Sequence, residues 1–200
     1  MMKMRKTLVA AALGMALLQL QGCVPLVATG AGAGVLMATD RRTSGTYIED
    51  QEIELRTANR IREAYPADIV HTDVASFNRT VLLIGEVPDE ATKQKINDIA
   101  KNVTNVHSVF NEITVGAPTT LSTRTNDAYI TTKVKSRFVD AKRFPITVVK
   151  VTTENGVVYL MGMVTEQEAA DAAEIASTTS GVEKVVKLFE YVVLVPDAGK

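Results

Sequence analysis

The sequence predicts an α+β protein, an α/β sandwich of two tandem modules, each running helix, strand, strand, helix, strand. Three observations carry this reading. The chain repeats itself at a shift of 77 residues, each repeat carries a turn between two β-rich runs, and the second repeat adds a capping box before an alanine-rich stretch. With 46% hydrophobic and 22% charged side chains, the 200 residues suit a foldable chain and exclude a fibrous or wholly disordered one. Modules of this size bury proportionally little surface alone, so the two are expected to lean on each other.

The repeat is clearest where residues 81–87 (Val-Leu-Leu-Ile-Gly-Glu-Val) match residues 158–164 (Val-Tyr-Leu-Met-Gly-Met-Val). The same shift carries Asp50 onto Asp127, Ile53 onto Ile130, Arg60 onto Arg137, Ile61 onto Phe138, Val74 onto Val151 and Asn78 onto Asn155. After a one-residue deletion, Ile99-Ala100 pairs with Ile175-Ala176 and Val106 with Val182. Residues 46–115 and 126–195 are therefore the two modules. Residues 116–125, with Pro118 among threonines, read as the linker.

In the second copy, Ile130, Val134, Phe138 and Ala141 recur near helical spacing, and Pro145 follows the helix end. Residues 146–153 are β-rich, Asn155-Gly156 makes the turn, and residues 157–164 return as the partner strand of a hairpin. Thr165 and Glu168 form the capping box of a helix with Ala169, Ala172, Ala173 and Ala176 on one face. Residues 185–195 close the module as a third strand, parallel to the second because such crossovers are right-handed. The first copy repeats this with Ile96, Ile99, Ala100 and Val103 on its second helix, which opens at Pro88-Asp89-Glu90. Leu82 and Ile84 in one copy, and Tyr159, Met161 and Met163 in the other, make the middle strands apolar on their rear as well. A sheet covered on one side only would alternate apolar with polar, so the back of at least one sheet is expected to be covered by the other module.

Ahead of the modules, Lys3, Arg5 and Lys6 precede an apolar stretch over residues 8–20 and then Leu20-Gln21-Gly22-Cys23. This is the layout of a secretory signal over residues 1–22, and the four residues ending in Cys23 resemble the lipobox of bacterial lipoproteins. The resemblance implies cleavage before Cys23 and lipidation of its sulfur, with outer-membrane retention because Val24 stands where an aspartate would hold the protein at the inner membrane. Removing residues 1–22 moves the formal charge from −1 to −4, against a nucleic-acid partner. Residues 23–45, rich in Gly, Ala and Thr, read as a flexible tether rather than a phosphate loop.

The strand written Val-x-Leu-x-Gly-x-Val around Gly162, the Asn155-Gly156 turn, the capped alanine-rich helix, and Gly181-Val182-Glu183-Lys184-Val185 together resemble a BON domain. Two such modules behind a lipobox resemble the dual-BON outer-membrane lipoproteins. The first copy departs from the pattern, with Arg79 and Asn105 where its partner has Gly156 and Gly181. The resemblance implies a non-enzymatic protein, facing the periplasm from the outer membrane, that supports envelope integrity. Phospholipid binding, cell-division sites and the machinery that assembles outer-membrane barrels are the associations it brings.

Charge separates the copies. Residues 124–145 hold six basic side chains against two acidic ones, whereas residues 47–66 hold three against five. At about 100° per residue, Tyr129, Thr132, Ser136 and Val139 fall opposite the apolar face of that cationic helix, with Lys133 and Lys135 as a border and Arg137 nearer the core. Small and apolar side chains, one interfacial aromatic and a rim of amines suit an anionic phospholipid surface. The expected lipid site is thus Tyr129, Thr132, Lys133, Lys135, Ser136, Arg137 and Val139. The alternative is a periplasmic adaptor that docks envelope proteins such as the barrel-assembly machinery. With no tryptophan, two histidines and one cysteine, no cofactor, metal site or small-molecule substrate is expected, and enzyme chemistry is disfavoured. His71 reads as a packed strand residue rather than a ligand, and no acid is placed to orient His107 beside Ser108.

Overall fold

The computed structural model describes residues 39–193; the signal, Cys23 and the glycine-rich stretch lie outside the described residues. The first module comprises α1 (Ser44–Ala64), β1 (His71–Phe77), β2 (Thr80–Val87), α2 (Glu90–Lys101), β3 (Ser108–Asn111) and β4 (Thr114–Val115). The second comprises α3 (Leu121–Ala141), a 3₁₀ turn (Ile146–Val148), β5 (Val149–Glu154), β6 (Val157–Val164), α4 (Glu166–Ser177) and β7 (Lys184–Tyr191). In each, an antiparallel hairpin is followed by a strand that returns parallel to the hairpin's second strand, giving sheet orders β1-β2-β3 and β5-β6-β7. The two-module α+β architecture is as the repeat predicts.

Three local differences have physical causes. The third strand of the first sheet is broken into β3 and β4, both paired with β2, and Ile113 at the break drops into the core with 1% exposure. Helix α3 starts inside the expected linker, because the Thr120 hydroxyl accepts the Thr123 backbone N–H at 3.2 Å and caps it; Thr43 caps α1 in the same way, 77 residues earlier and inside the expected tether. Ala141, expected on the buried face of α3, is exposed, since the helix ends at Lys142 in the left-handed region and the apolar face is completed by Phe144 instead.

Each module encloses its own core. Ile53, Ile61, Val81, Leu83, Ile96 and Ala100 fill the first; Ile130, Val134, Phe138, Val158, Leu160 and the small face of α4 fill the second. The alanines let α4 lie close on its sheet, and its capping box is formed as Thr165 and Glu168 predict. The backs of the two sheets then pack on each other: Ala75, Phe77, Leu82 and Ile84 of the first meet Tyr159 and Met161 of the second, with Met163 and Leu188 at the margin. Each large side chain buried there contributes about 1.5–3 kcal/mol. This seam is why both middle strands are apolar on both faces.

The hairpins are tied down identically. Gly85 and Gly162 allow the opposing strand so close that a Cβ would stand 2.2 Å from the His71 and Val148 carbonyl oxygens respectively. At the turns, fully buried Asp50 accepts the backbone N–H groups of Asn78 and Arg79 at 2.8 and 2.7 Å, and Asp127 accepts those of Asn155 and Gly156 at 2.9 Å each. Despite lacking glycine, Arg79 and Asn105 hold the left-handed backbone of their counterparts, at φ 63° and 69°.

Polar contacts complete the seam. Arg41, just ahead of α1, grips Glu168 of α4 with two bonds of 2.7 and 2.8 Å and donates to the Met163 carbonyl at 2.7 Å. These bonds to the Arg41 guanidinium hold the Glu168 carboxyl below the usual carboxylate range. Lys150 of β5 pairs with Glu54 of α1, and Asn78 donates to Glu190 at 2.7 Å. The last residues of the expected tether are thus part of the folded body.

Candidate functional site

Helix α3 buries Asp127, Ile130, Val134 and Phe138 and turns the opposite side outward. That outer side carries Leu121, Thr125, Tyr129, Thr132, Ser136 and Val139, one stripe at helical spacing along the helix. Leu121, Tyr129 and Val139 are 79%, 62% and 48% exposed, and Ile146 continues the line beyond the helix. The Thr125 and Thr132 hydroxyls both donate back to helix carbonyls, those of Leu121 and Ala128, at 2.9 Å. Their hydrogen-bonding capacity is partly used within the helix, so the stripe is more apolar than its composition suggests.

The amines divide between the two borders. Lys133 packs its ammonium 4.7 Å from the Tyr129 ring centroid and donates to the Ser180 carbonyl. Arg137 donates to the Ile175 carbonyl at 2.8 Å and to the Thr179 and Thr178 hydroxyls at 2.7 and 3.0 Å, where it meets the negative end of α4. Its counterpart Arg60 does the same for α2, donating to the Asn102 carbonyl at 2.9 Å. Arg137, placed by its sequence position among the lipid contacts, is therefore a clasp between helices, and its guanidinium is occupied.

On the other border, Thr132, Lys135, Ser136 and Val139 line a groove of about 550 Å³ whose far wall is Tyr47 and Phe77 of the first module. Burial, and then the nearby Lys150 ammonium, pull the Lys135 pKa below that of a free lysine. Arg42 stacks 3.9 Å over Phe77 at the groove's inner end and is neutralised by Asp40 and Asp50 at 2.7 and 2.9 Å. Lys150 is paired with Glu54, so among the described residues lining the groove Lys135 is the amine with no carboxylate partner within 4 Å. In all, the structure gathers Tyr129, Thr132, Lys133, Lys135, Ser136 and Val139 on one outward surface and turns Arg137 away from it.

Ser108 shares a hydrogen bond of 2.9 Å with Thr80 across adjacent strands, a sheet contact rather than an activated nucleophile. His71, by contrast, stands against Glu86 of its own module and Glu154 of the other. Burial, and then the Glu86 and Asp127 carboxylates, push the Glu154 carboxyl up to about 8.

Comparison with known proteins places the chain. The BON domain family matches residues 49–117 and again residues 126–192, the two modules described above. The chain belongs to the BON-domain family. Among curated relatives, the outer membrane lipoprotein DolP of Haemophilus influenzae is 42% identical over 174 residues, covering 86% of this chain and 90% of that protein. A 21 kDa hemolysin of Actinobacillus pleuropneumoniae is 34% identical, covering 76% and 79%, and the osmotically-inducible protein Y of Escherichia coli is 27% identical, covering 78% and 80%. A solved structure of CdsD, a structural protein of the type III secretion system of Chlamydia trachomatis, aligns at a TM-score of 0.29 and 14% identity over 73% of this chain and 92% of that one.

Within this BON pair, sequence reasoning missed two groups of residues. Arg41 and Arg42 escape it because their partners lie far along the chain, at Glu168, and under a hairpin, at Asp50. Glu86 and Glu154 carried a signal that could have found them. Strand alternation puts Glu86 on the same face as Leu82 and Ile84, the face that meets the other BON module, and puts Glu154 on the face of β5 opposite the core residues Val149 and Val151.

Proposed function

We propose that this chain is a lipoprotein of the outer membrane, anchored through Cys23 and facing the periplasm, that reads anionic phospholipid with the outward stripe of α3 and so supports envelope integrity. The observation that carries the lipid reading is the row Leu121, Tyr129 and Val139, exposed on a helix face where the Thr125 and Thr132 hydroxyls bond the helix's own carbonyls. An aromatic with a wet tip and aliphatic neighbours settles at the level of lipid headgroups. Lys135 and Lys133 flank the row, and each amine near an anionic surface adds about 1 kcal/mol. With an acyl anchor already holding the module beside a bilayer, a weak contact is enough to orient it. The 42% identical relative is itself an outer membrane lipoprotein, in keeping with the anchor.

The test is chemical-shift mapping of residues 24–200 titrated with micelles of phosphatidylglycerol and then of phosphatidylcholine. Perturbations centred on α3 and Ile146 with the anionic lipid alone are expected, and the double variant Tyr129→Ala, Val139→Asp is expected to abolish them while keeping the circular dichroism spectrum. Equal perturbation in that variant, or none in the parent chain, would overturn the lipid reading and leave the α3 face as a docking surface for an envelope protein.

A further inference from the structure

The seam between the BON modules holds a cluster that neither packing nor lipid binding accounts for. His71 and Glu86 are cross-strand partners in the β1–β2 register, so both side chains leave the sheet on one face, toward the second module. There they meet Glu154, the last residue of β5. His71 Nδ1 lies 3.1 Å from Glu86 Oε2 and 3.8 Å from Glu154 Oε1, and the three donor atoms all fall within 4.8 Å of one another. The Glu86 and Glu154 side chains are 7% and 12% exposed. Among the described residues, Glu154 Oε1 is inaccessible to solvent and no N–H or O–H group donates to it. A buried carboxyl oxygen in that state is costly unless a proton or a cation completes it.

We propose that His71, Glu86 and Glu154 form a divalent transition-metal site, best matched to Zn²⁺, that pins the two BON modules together. Bonds of about 2.0–2.2 Å in a tetrahedron set ligand atoms about 3.3–3.6 Å apart; His71 Nδ1 stands 3.1 and 3.8 Å from the two carboxylate oxygens, and these, within 4.8 Å of each other, would close on the ion by side-chain rotation. One imidazole nitrogen with two carboxylate oxygens is a mixed donor set that suits zinc better than calcium or magnesium, which prefer oxygen alone.

The surroundings are those of a supported site. The Thr119 backbone N–H and hydroxyl donate to Glu86 Oε2 at 3.1 and 3.3 Å, so the segment joining the modules orients that ligand. Glu154 is positioned by the turn beside it, where Asp127 holds the Asn155 and Gly156 amides. A cavity of about 300 Å³, bordered by His71, Asp73, Asp127 and Glu154, opens onto the cluster and provides an entry path and room for a water as fourth ligand. From the sequence alone His71 reads as a packed strand residue and no metal site is expected; the proposal departs from that reading because the cluster is assembled from both modules.

The test uses the full chain in detergent, stripped with chelator and titrated with Zn²⁺ by calorimetry alongside thermal unfolding. One ion per chain and a raised unfolding midpoint are expected. Glu154→Gln, which keeps the shape of the side chain, should weaken the affinity at least about tenfold, and His107→Ala should leave it unchanged. Absence of stoichiometric binding, or undiminished binding by Glu154→Gln, would overturn the proposal. X-ray absorption of the zinc-loaded parent chain decides independently of any variant: a nitrogen and oxygen shell with a single imidazole supports the site, and a sulfur ligand or two imidazoles overturns it.

Discussion

The first and second modules share a scaffold in detail and differ in what they show to solvent. Asp50 and Asp127 tie down equivalent turns, Arg60 and Arg137 clasp equivalent helix ends, and Gly85 and Gly162 allow the same close approach of strands. The first helices diverge: α1 carries a net acidic surface and α3 a net basic one. Positions that satisfy buried backbone groups have no substitute and stay the same in both copies, whereas an exposed helix face costs little to rewrite. The difference between the copies therefore marks where a function can be carried, and their identities mark what holds the fold.

The strongest way to break this comparison is at the glycines. Gly162→Ala sets a Cβ against backbone rather than a movable side chain, so it should cost about 3–5 kcal/mol, and Gly85→Ala, which meets the same close backbone and adds a left-handed φ of 117°, should cost more. Chemical denaturation of both variants checks this, and a mild effect in either would show that the close strand approach the copies share does not hold that hairpin.

The buried aspartates should be unequal. Asp50→Asn removes one of the two carboxylates that neutralise Arg42, whose side chain is 6% exposed and keeps Asp40, and with it the charged acceptor of the Asn78 and Arg79 amides, a loss of about 2–4 kcal/mol. Asp127 has no ion-pair partner within 4 Å among the described residues, and Asp127→Asn should cost about 1–3 kcal/mol through its turn hydrogen bonds alone. Denaturation midpoints of the two single variants rank them.

Smaller still is the bridge from Arg41 to Glu168. Because Glu168 titrates lower in the folded chain than in the unfolded one, its contribution is fully present above the ordinary carboxylate range and is lost as pH falls through the folded value. Thermal melts from pH 7 downward should show a steeper acid loss in the parent chain than in Arg41→Gln, with a gap of about 1 kcal/mol at neutral pH that closes in acid. The smallest effect is a gain. Arg79→Gly gives the first hairpin the residue its twin has at Gly156, relieving a left-handed backbone at φ 63°, and should stabilise by about 0.5–1 kcal/mol in denaturant titration.

Much of this architecture is legible along the chain. The hairpin around Asn155-Gly156, the capping box at Thr165 and Glu168, and the parallel return of the third strand rest on rules that act within a few residues, or on a handedness that admits one answer. The seam was legible too, because Leu82, Ile84, Tyr159 and Met161 could not be left in water. The helix caps Thr43 and Thr120 fall inside the segments that read as tether and linker, since a threonine cap reads like linker composition when no glutamate follows three residues later. Of the candidate lipid face, the stripe was readable from helical angle, but the destination of Arg137 was not.

The sequence by itself determined the module, its duplication, the two faces of each helix and the opposite charges of α1 and α3, because these follow from periodicity, propensity and charge at short range. Only the tertiary structure decided which charged groups are spent and which are left over. It delivered Arg137 to the end of α4, Arg41 to Glu168, and His71 with Glu86 to Glu154, and it left Lys135 facing the groove. Pairing between groups tens of residues apart depends on how two sheets stack and where the backs of their strands meet, and no local rule of helix or strand encodes that meeting.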